Sequence, residues 1–478
     1  MGVPLSITTY TLPHEMEVYM GDVLSVFLTE LDQKQMVEYL TYCLCELVTN
    51  AKKANTKRIY FEEHGLNIDN EQDYALGMKD FKSETIAHIN HYLALQKQAG
   101  LYIKMILQMR KDKIKLEVRN NVELTFYEYK RIHDKLSRAQ QYTSINDSLA
   151  QILDSSEGAG LGLIIMILML RKIGLTEENY QVLSEHGETI TRIILPLNEN
   201  IQSHLSLLST EFVNLIDDLP HFPENIATVG KLLNDPKSKL SDIATHISND
   251  VSLTAELLRM VNSAAFAMSS PCKSIFDAVR IVGLRGIKNL LYSIGTMAML
   301  TSGDDQVKKD IWVHAYGVAF YSYNLARSFC AGDKQLVADS YVCGLLHDMG
   351  KIIFQTAHPG LMLELKQKCA DDGIPERVFE LLVAGVNHGE IGALIAEKWN
   401  FPEVISNVIR YHHSPETAPA EYRRLTSLVY IADMMVHYVK TEIEYAQIDA
   451  SELEIFGLHD QEKFDSIAKK LHEVFTAG

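Results

Sequence analysis

The stretch GLLHDMGK, residues 344–351, sets an adjacent His347 and Asp348 among apolar residues and glycine. An imidazole and a carboxylate side by side offer one N and one O ligand to a divalent metal ion. In an apolar segment neither group is tolerated without a partner, because an unsatisfied buried polar group is costly. Two readings follow: the pair holds a metal that hydrolyses phosphate esters, or it belongs to a scaffold that only binds partners.

The surroundings of this stretch are helical. After Pro196 strand signals almost vanish, and from about residue 205 the chain reads as successive amphipathic helices. Leu240, Ile243, Ala244 and Ile247 form one apolar stripe and Leu253, Leu257 and Val261 another, with Asp250 placed to cap the second. Residues 1–198 instead mix helix and strand. Ile103, Met105, Leu107 and Met109 alternate, a KDK turn follows, and Ile114, Leu116 and Val118 alternate again, which predicts a β-hairpin with one buried face. A second hairpin is expected in YQVLSEHGETITRIILPL, turning at His186-Gly187. The boundary falls near 199–208.

Length and composition agree with two domains, since 478 residues at 47% hydrophobic content exceed what one core usually organises. A formal net charge of -17 without a basic patch argues against nucleic-acid and anionic-membrane surfaces. The six cysteines are scattered in apolar segments without CxxC spacing and read as reduced core residues. The N-terminus has no signal-peptide pattern, and LGLIIMILML at 161–170 is too short to span a bilayer. Its Met-rich run, 166–170, reads as core filler. A soluble, cytoplasmic protein is expected.

In the first half, MVEYLTYCLCELVTNAKKAN carries a helical stripe of Met36, Leu40, Leu44, Leu47 and Ala51, with Glu46, Asn50 and Lys53 clustered beside it. EGAGLGLIIM, 157–166, places glycines before an apolar helix, where free backbone N–H groups can meet phosphate. In this order the segments resemble the histidine-kinase-like ATPase superfamily, especially its compact serine-kinase branch of anti-sigma pathways. The resemblance implies ATP and Mg²⁺ as cofactors, Glu46 as catalytic carboxylate and Asn50 as Mg²⁺ ligand, with Lys53 nearby. It also implies Gly158, Gly160 and Gly162 as the phosphate loop and 125–156 as a lid. Where the family carries an adenine-binding Asp, this chain reads VRNN, leaving Asn120 or Asn121 to bond a base without a carboxylate.

In the second half, the segment 219–266, SIFDAVRIVGLRGIKNLL (274–291), KDIWVHAYGVAF, GLLHDMGK, VNHGEIGALIAEKWNFPEVISNVIRYHHSPE and VYIADMM resemble, in order, an HDOD domain, a helical signalling relative of HD-type phosphohydrolases. Helices from distant parts of a chain can aim side chains at one interior point. The resemblance implies an Fe, Mn or Zn site in which His314, His347, Asp348 and Asp433 hold one ion. His388, His412 and His413 would hold the other, with Asp348 shared and Lys351 near the substrate phosphate. YHHSPE lacks the Gly-Tyr-Pro continuation of the cyclic-di-GMP phosphodiesterase branch, and HDOD domains as a class resemble regulatory modules. Taken singly, His314 reads as a core histidine, His412-His413 as a helix C-terminal pair and Asp433 as a histidine's partner. Buried together without an ion, they would form a costly polar cluster. His246, His358 and His437 are assigned to surface or packing.

The expected architecture is an N-terminal α+β ATPase-like sandwich, a mixed sheet with helices on one face, over 1–198. A linker at 199–208, an all-α HDOD domain at 209–445 and a helical extension at 446–478 complete it. The expected role is a signalling regulator whose HDOD half binds signalling proteins, a second copy of the chain among them, around a metal site. The alternatives are a metal-dependent phosphohydrolase acting on a nucleotide or other phosphate ester, and a serine kinase of a partner-switching pathway.

Overall fold

The computed structural model describes residues 2–141, 161–197, 209–234, 237–266, 271–300, 306–357 and 376–477. Gly158, Gly160, His358, the 199–208 linker and residues 142–156 of the expected lid lie outside the described residues. The chain divides into two units, Met1–Thr210 with Glu364–Gly385, and Glu211–Leu363 with Val386–Gly478.

The first unit opens with strand β1 (Leu5–Thr9) and helices α1 (His14–Glu30), α2 (Val37–Glu63), α3 (Glu71–Ala87) and α4 (Ile89–Gln98). Strands β2 (Ile103–Arg110) and β3 (Lys113–Asn120) follow, then α5 (Phe126–Gln141), α6 (Leu161–Lys172), β4 (Tyr180–Glu185) and β5 (Glu188–Pro196). The sheet order is β1-β2-β3-β5-β4, and every pairing is antiparallel. The mixed sheet expected from the sequence is therefore corrected: among the described strands no pair is parallel. Two ladders are closed by two-residue turns, which only antiparallel neighbours can use. The turn residues Lys111 (φ 57°), His186 (φ 55°) and Gly187 (φ 79°) adopt the left-handed backbone that such turns require. The hairpin register pairs Met105 with Val118, Leu107 with Leu116 and Met109 with Ile114. All of these except Met109 are buried, and α2 packs against β2 and β3. Residues 163–170 of α6 are buried all round, so the apolar run is a core helix. No single helix among the described residues is long and apolar enough to cross a membrane.

The α3–α4 pair was not legible beforehand. It closes over the end of α2 through an aromatic cluster of Tyr60, Phe61 and Tyr92. Helix α5 starts with a reciprocal cap: Glu128 N–H donates to Thr125 Oγ1 at 3.2 Å, and Thr125 N–H donates to Glu128 Oε2 at 3.1 Å. The same carboxylate accepts from Arg58 at 2.7 Å and Lys57 at 2.8 Å, tying α5 to α2.

The second unit is helical: α7 (Thr210–Asp218), α8 (Glu224–Asn234), α9 (Leu240–Ser248), α10 (Val251–Val261), α11 (Ile275–Leu300), α12 (Gln306–Phe329), α13 (Lys334–Leu346) and α14 (Met349–Ala357). Next comes α15 (Glu376–Ala384), which packs on α2 and α6 within the first unit, where the Tyr39 hydroxyl donates to the Gly385 carbonyl at 2.8 Å. The second unit resumes with α16 (His388–Lys398), α17 (Glu403–Tyr411), α18 (Ala420–Val439), α19 (Ala450–Ile455) and α20 (Gln461–Ala477). Asp250 caps α10, accepting from Leu253 N–H at 3.0 Å, and Leu253, Leu257 and Val261 are buried. Helix α11 is bent at Gly283 (φ 73°).

Both glycines of GLLHDMGK are points of close helix approach. A Cβ at Gly344 would lie 2.8 Å from Ser322 Oγ and 2.9 Å from Ala319 Cα, so α13 can lie on α12 only with glycine there. A Cβ at Gly350 would overlap the His388 carbonyl oxygen, so α14 meets the first turn of α16 backbone to backbone.

Two outcomes follow. Burial alone would raise the Glu128 carboxyl, but Arg58 and Lys57 outweigh it and hold it at about 2 against an ordinary 4.5. Its contribution is therefore complete above about pH 4.5 and is lost as pH falls towards 2. Glu128→Gln should cost on the order of 3 kcal/mol at pH 7 and progressively less in acid. Denaturant midpoints of both proteins at pH 7 and pH 3 check this, and a gap that stays constant contradicts it. Gly350→Ala should destabilise the helical unit by about 1–3 kcal/mol, because backbone rather than a flexible side chain must yield. A melting temperature unchanged from wild type would show that α14 and α16 are not so closely apposed.

Candidate metal centre

Five helix ends and faces converge around Asp348. His314 comes from the first half of α12, and His347 and Asp348 from the junction of α13 and α14. His388 opens α16, where Asn387 caps the helix by accepting from Glu390 N–H at 2.9 Å. His412 and His413 follow α17, and Asp433 lies on α18. All are buried except His314 and His413, which are half-buried.

The donor atoms form two groups. Asp348, His388, His412 and His413 bring ligand atoms within 4.8 Å of one another, and so do His314, His347 and Asp433. Asp348 stands between them. Its Oδ1 lies 3.1 Å from His388 Nε2 and 3.6 Å from His412 Nε2. Its Oδ2 lies 3.4 Å from His347 Nε2, 3.6 Å from His314 Nε2 and 2.7 Å from Lys351 Nζ. Asp433 Oδ1 lies 3.0 Å from His314 Nε2 and 3.8 Å from His347 Nε2. Every metal ligand expected from the sequence thus falls in one of these two groups, and Lys351 reaches the shared carboxylate.

Local backbone fixes which nitrogen faces inward. His347 Nδ1 lies 2.7 Å from the Gly344 carbonyl, and His412 Nδ1 lies 2.7 Å from the Ile409 carbonyl. A carbonyl only accepts, so each Nδ1 carries the proton and each Nε2 keeps its lone pair for the interior. Burial drives the His347 imidazole towards neutrality. Burial and the neighbouring imidazoles bring His412 down to about 3 and His413 well below its ordinary value. Burial would raise the two carboxyls, yet His347, Lys351 and His388 hold Asp348 well below the carboxylate range, and His314, His437 and His347 do the same for Asp433. Neutral imidazoles and ionised carboxylates are the protonation states that bind metal.

The packing leaves these atoms unsatisfied. His314 Nε2, His347 Nε2, Asp348 Oδ1 and Asp433 Oδ1 are buried without a hydrogen bond of acceptable geometry. Buried polar atoms left without a hydrogen bond are costly, and a bound cation would satisfy them. The donor set, imidazole nitrogen with carboxylate oxygen, suits Fe, Mn or Zn.

One member of the site was missed. His437, assigned from sequence to surface or packing, sits one turn after Asp433 on α18, with Nε2 3.4 Å from Asp433 Oδ1 and Nδ1 against Glu442. Burial opposes its charge, but Asp433 and Glu442 prevail and raise it to about 9. The signal was the four-residue spacing, which puts the two side chains on one helix face.

In the first unit the expected nucleotide residues are only partly united. Glu46 of α2 is half-buried against Gly162 at the start of α6, where its carboxylate occupies the space a Cβ would need. Burial raises its carboxyl, against the pull of Lys53 and Lys135. Asn50 and Lys53 are exposed. Both asparagines of VRNN are engaged in the domain's own framework. Buried Asn120 donates to Asn55 Oδ1 at 3.1 Å, while Asn121 accepts from Tyr102 N–H at 2.7 Å and donates to the Gly100 carbonyl at 3.0 Å.

Residues 219–415 match the model of the HDOD domain. The whole chain is similar to an uncharacterised protein of Treponema pallidum (strain Nichols), 44% identical over 477 residues, covering 100% of this chain and 92% of that protein. A crystal structure of an HDOD domain protein with unknown function from Geobacter sulfurreducens is 22% identical, with 58% of this chain and 97% of that chain covered and a TM-score of 0.47. A candidate phosphohydrolase from Shewanella amazonensis SB2B is 24% identical, with 55% and 94% covered and a TM-score of 0.43. The chain therefore belongs to the family of the Treponema pallidum protein, and its residues 219–415 are an HDOD domain.

Proposed function

We propose that the helical unit holds two divalent transition-metal ions and hydrolyses phosphate esters. The observation that carries this reading is the pair of donor groups on either side of Asp348, with four buried polar atoms left without a hydrogen bond of acceptable geometry. His314, His347 and Asp433 would hold one ion and His388, His412 and His413 the other, with Asp348 shared between them. Bound there, such a pair would polarise a phosphoryl oxygen and supply hydroxide near neutral pH.

The chain's own groups divide the remaining work. Lys351, whose ammonium reaches Asp348 Oδ2 and whose side chain is partly open to solvent, is placed to neutralise an oxygen of the incoming phosphate. Backbone carbonyls of Gly344 and Ile409 keep two ligands in the inward-facing tautomer. Asn387 and the Gly350 contact fix the first turn of α16, and with it His388. A nucleotide is the substrate class first to be tried, within a signalling role in which partner proteins read the outcome.

Elemental analysis of protein purified without chelator should find about two transition-metal ions per chain. Asp348→Ala should lose both, because it removes the shared ligand, whereas Asp433→Ala should lose one. With Mn²⁺ or Fe²⁺ supplied, wild type should release nitrophenol from p-nitrophenyl phosphate esters and Asp348→Ala should not. Lys351→Ala should keep its metal and fall on the order of a hundredfold in kcat/KM. Wild-type protein that is folded and free of transition metal, and cannot be loaded by dialysis, would remove this reading.

A further inference from the structure

At the end of α13 remote from His347, the second unit contains a cleft of about 450 Å³. Lys334, Val337, Ala338, Tyr341 and Val342 of α13 line it, so it runs along this helix from its first residue and stops short of the histidine cluster at its C-terminal end. The cleft shares none of its lining with the residues around Asp348.

One wall is aromatic and set by mutual packing. The Phe266 ring lies 4.9 Å from Tyr323 and 5.3 Å from Tyr341, centroid to centroid. The lining also takes in α11 around its bend, where the left-handed Gly283 interrupts the helix beside Ile281 and Val282. Ile281 remains 42% exposed, an apolar side chain left on the rim rather than drawn into the core. Two cations complete the lining, Arg327 near the end of α12 and Lys334 at the start of α13. Arg327 lies over the Tyr323 ring at 5.8 Å, and neither cation makes an ion pair with a described residue. The neighbouring Asp333 carboxylate is engaged in capping α13, accepting from Gln335 and Leu336 N–H groups. The other charged pair nearby is self-contained: Arg285 donates to Asp339 at 2.6 Å, and Asn289 donates to the same carboxylate at 2.8 Å.

In a chain of net charge -17, two cations without an ion pair to a described residue, set beside an aromatic wall, form a local exception. Rings supply a flat apolar face for a planar body, and the cations supply a counter-charge for an anionic substituent. The volume falls within the range of small-molecule sites. We propose that this cleft binds a small anion carrying a planar ring, at a site separate from the metal centre.

Titration calorimetry with AMP and, separately, indole-3-acetate tests this on the full chain. At least one should bind saturably below millimolar concentration, while adenosine and inorganic phosphate, each lacking half of the recognition, bind about tenfold more weakly or worse. Arg327→Gln with Lys334→Gln should weaken binding by about tenfold or more. Ala338→Leu, which fills the cleft without changing charge, should abolish it, with unchanged circular dichroism confirming the fold. Indole-3-acetate, which is no phosphate ester, should bind metal-free and metal-loaded protein alike, which separates this site from the metal centre. No saturable binding of either ring-bearing anion, or binding unaltered by both cleft variants, would overturn the proposal.

Discussion

Five imidazoles and two carboxylates converge on one point of the helical unit, and the packing of the helices holds them in that position. The energy comes from packing elsewhere: Gly344 lets α13 lie on α12, and Gly350 lets α14 meet α16, so the His347-Asp348 junction is clamped between two close crossings. Backbone carbonyls then turn His347 and His412 so that Nε2 faces the interior. Core packing sustains the unfavourable electrostatics, and the natural counterpart of such a concentration of lone pairs is positive charge.

This division explains which features could be read from the sequence. The candidate ligands stand in segments that resemble an HDOD domain, so His314, His347, Asp348, His388, His412, His413 and Asp433 could be named from that resemblance, although His314, the His412-His413 pair and Asp433 taken singly read as structural. The two hairpins were legible for a local reason, since alternation and turn residues lie within one short segment. Sheet direction is not local. It depends on where the helical connections return the chain, and the antiparallel β1–β2 and β3–β5 ladders leave no trace in either strand's own pattern. The α3–α4 insertion was missed because its aromatic residues pack on the end of α2 rather than declaring a stripe of their own.

His437 and the VRNN asparagines show opposite errors with one cause. His437 was set aside because it belongs to no motif, yet α18 carries it to the same side as Asp433, and Glu442 holds its other nitrogen. Asn120 and Asn121 were taken up because they stand where a motif should be, yet their amides join β3 to α2 and to the loop before β2. Motif position indicates which backbone point a residue occupies. Whether its polar atoms remain available depends on neighbours that a linear reading does not contain.

The charge of His437 separates it from the other histidines. His347 and His412 are neutral because burial outweighs the nearby carboxylates, whereas His437 has two carboxylates of its own and stays cationic well above neutral pH. A cation beside Asp433 partly offsets that carboxylate's charge on the solvent side, as Lys351 does for Asp348. Each carboxylate is therefore flanked by imidazoles and by one protein cation. Both cations are partly exposed while most of the imidazoles are buried, so positive charge reaches the two carboxylates from the solvent-facing side.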